Sequence, residues 1–393
     1  MINNGFSARG DIMERIYLDY AAATPLDERV LQAMMPYLTS EFGNPSSLHA
    51  YGQTARAAVR TARRQTAASL GAEAQDIVFT GGGTEANNLA ILGYLRANCP
   101  HGGHIVTTAV EHASVLRIFE SLAGRGYDVT FLPVGEDGRV NMEEVRRSLR
   151  DDTVLVSVMA ANNETGMIQP LAEIGALARE KNAAFHVDAV QGFGWLPLRP
   201  EEQHIDLLSI AGHKVYGPKG IGALYIGSGI KIRPDTFGGP QERKLRAGTE
   251  NVAAIAGFGR ACKLLRDEWR ERACKVRTLK EFFYNTLIKG NGRYRLNGTM
   301  AHSLPNIINV SVAHVDRTIV LIALDRRGIA VSAGSACEAG AAQPSHVLQA
   351  MGVTGDWLSG SVRVSFGKDT TKKDLVKTIK EIRKIAGEER ADG

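Results

Sequence analysis

The chain is 393 residues long, 44% hydrophobic and 23% charged, with a formal net charge of +5. That length supports two domains of ordinary size with a sizeable core, and the composition is that of a globular protein. A mild charge with no concentrated basic stripe argues against direct nucleic-acid binding. No apolar run approaches the roughly 18 residues of a membrane span.

Residues 1–15 are expected to form a disordered leader, because Met1 to Ile12 has neither an apolar h-region nor an Arg-rich amphipathic pattern. Met13 offers an alternative start. Helical apolar spacing over 54–70, with Arg56, Arg60, Arg63 and Arg64 opposite, ends at Gly71. Strands are then expected at 77–79, 104–108, 129–133, 153–159, 184–187 and 207–210. Helices fall between them at 85–95, 113–122, 142–149 and 174–181. This alternation predicts a mainly parallel sheet covered on both faces, with ligands beyond the carboxyl ends of its strands. A long charged helix over 251–284, broken at most once, leads to strands at 307–312, 331–332 and 362–366. A terminal helix follows, with its basic face from Lys372 to Lys384 in solvent. The expected division is a large domain over 16–262 and a smaller α+β domain over 263–393.

Four cysteines (Cys99, Cys262, Cys274 and Cys337) include no C-x-x-C pair. A disulfide framework, a zinc centre and thioredoxin-type chemistry therefore lack support, and a reducing cytoplasm is the expected setting. Cys262 and Cys274 fall inside a helical pattern and read as packed, inert thiols. Cys99 reads as a helix-end residue. Cys337 lies in the small-residue run Ser332-Ala333-Gly334-Ser335-Ala336-Cys337-Glu338-Ala339-Gly340 and reads as an exposed, reactive thiol.

Four further stretches carry chemistry. Thr80-Gly81-Gly82-Gly83-Thr84-Glu85 joins a strand to a helix, either as an anion cup or as a capped glycine turn. It matches neither the dinucleotide GxGxxG pattern nor a P-loop, which disfavours a dehydrogenase. His186-Val187-Asp188 brings an acid to a strand end, where it either pairs with a protonated pyridine nitrogen or caps a turn. Gly212-His213-Lys214 closes a buried strand with a lysine fit for Schiff-base chemistry. In Val362-Arg363-Val364, alternation turns Arg363 away from the core, as a fork for a carboxylate or as an exposed strand residue. Cup, acid and lysine occur in that order, and they are the three things that pyridoxal phosphate needs from its protein.

Together these stretches resemble the cysteine desulfurases, pyridoxal-phosphate enzymes of the class V aminotransferase group. Further matching motifs are Leu18-Asp19-Tyr20, Gly43-Asn44-Pro45, Glu111-His112, Asn162-Asn163-Glu164-Thr165-Gly166 and Arg246-Ala247-Gly248-Thr249. The long run around Cys337 is similar to the branch that serves nitrogenase and iron–sulfur assembly. The resemblance implies fold type I, an α/β fold with a mainly parallel seven-stranded sheet in the large domain. It implies that Lys214 holds the cofactor and shuttles protons, that Asp188 binds the pyridinium and that Gln191 donates to the phenolic oxygen. His112 would stack on the ring. Gly83, Thr84 and His213 would hold the phosphate, with Thr249 reaching in from a second subunit of a homodimer. Asn163 and Arg363 would bind the carboxylate of L-cysteine, and Cys337 would take its sulfur and pass it to an acceptor protein. Such acceptors serve iron–sulfur assembly, tRNA thiolation, DNA phosphorothioation or cofactor synthesis. The chain stops at Gly393, soon after the terminal helix, which favours a specialised acceptor.

Two positions depart from the family pattern. Ala211 stands where a phosphate-binding serine is usual, and Glu338 places a negative charge beside the nucleophile, which raises a thiol pKa. Rival readings are a selenocysteine lyase, another class V aminotransferase or lyase that needs no loop thiol, and a catalytically silent scaffold.

Overall fold

The computed structural model describes residues 15–334 and 344–388. In chain order it begins with β1 (Ile16–Tyr17), α1 (Glu28–Thr39), α2 (Ala50–Leu70), β2 (Ile77–Thr80) and α3 (Gly83–Asn98). Next come β3 (Gly103–Thr108), α4 (Ala113–Ala123), β4 (Tyr127–Leu132), α5 (Met142–Ser148), β5 (Thr153–Met159) and α6 (Leu171–Glu180). β6 (Ala184–Asp188), β7 (Leu207–Ala211), β8 (Gly222–Ile226) and α7 (Val252–Phe283) complete this part. The remainder holds β9 (Tyr294–Leu296), β10 (Ile307–Val312), α8 (Arg317–Asp325), β11 (Ile329–Ala330), α9 (His346–Ala350), α10 (Gly355–Ser359), β12 (Ser361–Ser365) and α11 (Lys372–Ile385).

Seven strands form the central sheet in the order β2-β8-β7-β6-β5-β3-β4. Only β8 runs antiparallel to its neighbours β2 and β7. Its link from β7 is ten residues, too short for the crossover a parallel partner demands. β2, β3, β5, β6 and β7 therefore all end at one edge of the sheet, where ligands bind in open α/β folds. The sequence reading missed β8, whose five residues sit between glycine-containing turns. It also missed α1, a helix that contains Pro36, as well as β9 and α8. The expected strand at 331–332 is displaced: β11 lies two residues earlier, and Ser332 makes only a bridge to Arg363.

Apolar faces explain the layering. Strand residues such as Val156, Val187 and Leu208 pack with Phe258 and Cys262 of α7, Val59 of α2 and Val30 of α1 in the principal core. Ile91 of α3 and Phe119 of α4 pack on Ile105 and Leu155 in a separate cluster. β9, β10 and β12 form a three-stranded antiparallel sheet, and its core includes Phe283, Val310, Val364 and Ile379. Ile16 and Leu18 join that second core, and β1 pairs with β11. α7 runs unbroken through residue 262 and bridges both cores, its amino half in one and its carboxyl half in the other.

Candidate active site

The turn after β2 presents the start of α3, whose first N–H groups have no intrahelical partner and carry the positive end of the helix dipole. Gly82 holds φ at 155°, a conformation side chains resist. At Gly83 a Cβ would come within 2.6 Å of Val190 Cγ2, so the loop behind the turn closes directly on bare backbone. The opposite end of the cup is the short helical turn Gly212–Lys214 that follows β7. Burial, with Lys214 and Lys219 nearby, pushes His213 down to about 4, so its imidazole is neutral at physiological pH.

Past β3, His112 caps α4, its Nδ1 accepting from Ser114 N at 3.1 Å. That bond places the proton of the neutral ring on Nε2. The preceding Glu111 is fully buried; its Oε1 accepts from Thr108 Oγ1 (2.8 Å) and Met159 N (2.9 Å). Burial pushes Glu111 up to about 8. At the end of β6, Asp188 Oδ2 accepts from Asn87 Nδ2 at 2.7 Å and Oδ1 from Val190 N at 3.0 Å. The acid caps its turn and also lines the cavity. Below it, His186 lies between Ser157 Oγ and Ser209 Oγ of the flanking strands, and burial pushes it down to about 3. A neutral histidine thus ties three strands together just beneath the acid.

Lys214 Nζ donates to Ala21 O (2.6 Å) and Ala22 O (2.9 Å), and Gln191 Nε2 donates to the same Ala21 carbonyl at 2.7 Å. The chain just after β1 thereby holds both side chains at the cavity wall. Of the two readings open for Arg363, the exposed strand residue is the one that fails. Arg363 does leave its own core, but β12 lies against the large sheet's loops, so its side chain is 1% exposed. There Nη1 donates to Asn163 O and Nη2 pairs with Asp19 Oδ1, each at 2.8 Å.

One cavity of about 200 Å³ unites Gly83, Thr84, His112, Asn163, Asp188, Gln191, His213, Lys214 and Arg363. Asn87, Ser114, Met159 and Val190 also line it, and the sequence reading gave them no role. Asn87 was within reach of such a reading, lying one turn into the helix that the cup begins. Thr249 is exposed and is not among the lining residues. Cys337 and Glu338 lie outside the described residues. Of the other thiols, Cys262 is buried and pushed up to about 12, and Cys99 caps α3 with its pKa raised by burial. Cys274 is exposed rather than packed, because this part of α7 keeps one face in solvent.

The cavity fits pyridoxal phosphate. An anion site at a helix start, a lysine and a strand-end carboxylate surround it, and two buried polar atoms of its lining residues lack any protein partner. These are Asn87 Oδ1 and Arg363 Nε. Such atoms mark a wall that a bound molecule completes.

Comparison with known proteins agrees. The family profile described as aminotransferase class-V matches residues 16–377. The cysteine desulfurase IscS of Dictyoglomus turgidum is 45% identical over 370 residues, covering 94% of this chain and 94% of that protein. Among solved structures, a NifS-like protein superposes with a TM-score of 0.89 at 35% identity, over 95% of this chain and 99% of the other. SspA in complex with cysteine superposes with a TM-score of 0.78 at 34% identity, over 91% and 100%. The chain belongs to the class-V aminotransferase family and is a pyridoxal-phosphate-dependent enzyme.

Proposed function

We propose that the chain is a cysteine desulfurase, which converts L-cysteine to L-alanine and leaves a persulfide on Cys337. The observation that carries this reading is the convergence of Lys214, Asp188 and the buried Arg363, from three different strands or strand ends, on one cavity. The relative named cysteine desulfurase and the cysteine complex of SspA support the substrate. Bound pyridoxal phosphate supplies an electron sink conjugated with the substrate α-carbon.

The residues divide the remaining work. The start of α3 at Gly83 and Thr84, with neutral His213, holds the phosphate. Asp188 would keep the pyridine nitrogen protonated, Gln191 would donate its second N–H to the phenolic oxygen, and His112 would lie against the ring. Lys214 anchors the cofactor and moves a proton at the substrate α-carbon. Arg363 Nε–H and the Asn163 side chain hold the substrate carboxylate, which fixes the direction in which the thiol side chain leaves. The Cys337 thiolate attacks the substrate sulfur. An S–S bond forms as the Cβ–S bond breaks, and the electron pair of that bond leaves with the three-carbon fragment, which takes up a proton to become the alanine methyl. Carbon is reduced by two electrons and sulfur oxidised by two, so no outside oxidant is needed. The persulfide then passes to a sulfur-acceptor protein.

Cys337→Ser tests this reading. It should keep the bound chromophore while abolishing alanine and persulfide formation from L-cysteine; alanine still forming at the normal rate would sink it. We also infer a homodimer in a reducing, cytoplasmic setting, with large and small domains dividing near residue 262. Large apolar side chains left in solvent support a second copy: Phe42 is 75% exposed, Leu48 83% and Phe237 86%. The absence of Thr249 from its own cavity points the same way. Sedimentation at micromolar concentration, with cofactor retention in Thr249→Ala, checks this. A monomer, or retention equal to wild type, contradicts it. Among the described residues no helix is long and apolar enough to cross a membrane.

A further inference from the structure

β2 is the outermost strand of the central sheet, so among the described residues one side of it faces no neighbouring strand. The segment between β8 and α7 is fastened to that strand. Glu242 is 6% exposed and accepts from Phe79 N at 2.9 Å. Its two oxygens also take both Nη groups of Arg63 on α2, at 2.7 and 2.5 Å. Arg63 Nη1 and Arg243 Nη2 donate to Ile77 O at 2.7 and 3.2 Å. A buried carboxylate paired in this way with a planar fork is held in one orientation.

The backbone so held is a strained one. Glu242, Arg243 and Lys244 have φ of 44°, 58° and 66°, three successive residues with side chains in the left-handed region. Such a run persists only where its surroundings over-determine it. Covering a sheet edge does not call for it, since extended chain or a helix covers an edge as well. From this turn the chain runs on as an arm beside the phosphate cup. Arg246 Nε donates to Glu85 Oε1 at 2.9 Å, and Glu85 Oε2 accepts from Gly81 N at 2.8 Å. Gly248 N donates back to Gln241 Oε1 at 3.1 Å. Thr249 follows, exposed and absent from the lining of its own chain's cavity.

We propose that Glu242 is a positioning residue for cofactor binding across the dimer: on Arg63 and Phe79 N it fixes the strained turn that projects Thr249 to the phosphate held by the second copy. An arm already rigid loses little freedom when its hydroxyl meets that phosphate, whereas a loose arm must be ordered at each binding event. The inference rests on the homodimer and on the role given to Thr249 above.

Mixed dimers of the full chain test it, purified through two different tags, with Lys214→Ala in one copy so that only the other copy anchors cofactor. When the Lys214→Ala copy also carries Glu242→Gln, the wild-type site beside it should lose cofactor on dilution roughly five- to fifty-fold faster, the order of one lost bond to a charged group. When the anchoring copy carries Glu242→Gln instead, loss should stay within about twofold of the dimer that has Lys214→Ala alone. Thr249→Ala in place of Glu242→Gln should give the same pattern, and adding Glu242→Gln to it in the same copy should change nothing further. Faster loss from the chain that carries Glu242→Gln, alone or alongside its partner, is what a merely structural role predicts and would overturn the proposal. Unchanged loss in both mixed dimers, or additive effects with Thr249→Ala, would overturn it too. If Glu242→Gln does not fold, Arg63→Lys, which keeps the charge and loses the fork, replaces it under the same outcomes. Thr249→Ala without effect in either dimer, or a chain that sediments as a monomer, marks instead a failure of the homodimer reading, and the proposal falls with it.

Discussion

Replacing Glu111 by glutamine should make the protein more stable, and increasingly so as pH rises. Glu111 is fully buried behind His112 and held near a pKa of about 8 against an ordinary 4.5, chiefly by burial. Between those values the folded chain keeps a proton that the unfolded chain gives up, so the folded state binds more protons and its stability falls as pH rises. The slope is about 1.4 kcal/mol per pH unit, and by pH 7 the accumulated cost is about 3 kcal/mol. Glutamine copies the shape of the protonated acid, and its Oε1 keeps the bonds from Thr108 Oγ1 and Met159 N. It carries no titrating proton. Urea unfolding of cofactor-free wild type and Glu111→Gln, at fixed ionic strength from about pH 5 to 7.5, should show the variant's advantage growing by about 1.4 kcal/mol per unit. Leaving the cofactor out keeps its own binding from shifting the curves. Parallel stability profiles across that range would refute the assignment of a buried, neutral Glu111.

Three other changes have defined outcomes. Ala211 Cβ lies 3.8 Å from the Cβ position at Gly83, so Ala211→Ser brings a hydroxyl to the phosphate cup. A hydrogen bond to a charged group is worth about 1.5–3 kcal/mol, so cofactor retention on dialysis should improve at least tenfold; unchanged loss counts against it. Arg363→Gln should raise the half-saturating L-cysteine concentration by roughly 10- to 100-fold while the chromophore stays bound. Equal half-saturation would show that the carboxylate binds elsewhere. Glu338→Gln should lower the Cys337 thiol pKa by removing a neighbouring negative charge, read by thiol alkylation against pH, and no downward shift removes the charge from the account.

The sequence alone determined the parts whose chemistry is local. A glycine turn before a helix, an acid ending one buried strand and a lysine ending another are each written within a few residues, as is the alternation that makes a parallel sheet. The glycine turn with Gly83 and Thr84, Asp188, Lys214 and Arg363 were named on that basis, whereas His112, Asn163, Gln191 and His213 came from the family resemblance, and one cavity receives them all. Tertiary structure decided what depends on distant partners. Asp19 meets Arg363 across 344 residues, and alternation along β12 could say which face Arg363 takes but not that another layer covers it. Cys274 looked packed because helical periodicity is shared by α7's two halves, though one keeps a face in solvent. β8 escaped notice because its direction follows from a short link and its neighbours rather than from its own five residues. Backbone propensity and side-chain period act over a turn or a strand, whereas burial and pairing are fixed by which surfaces the fold presses together.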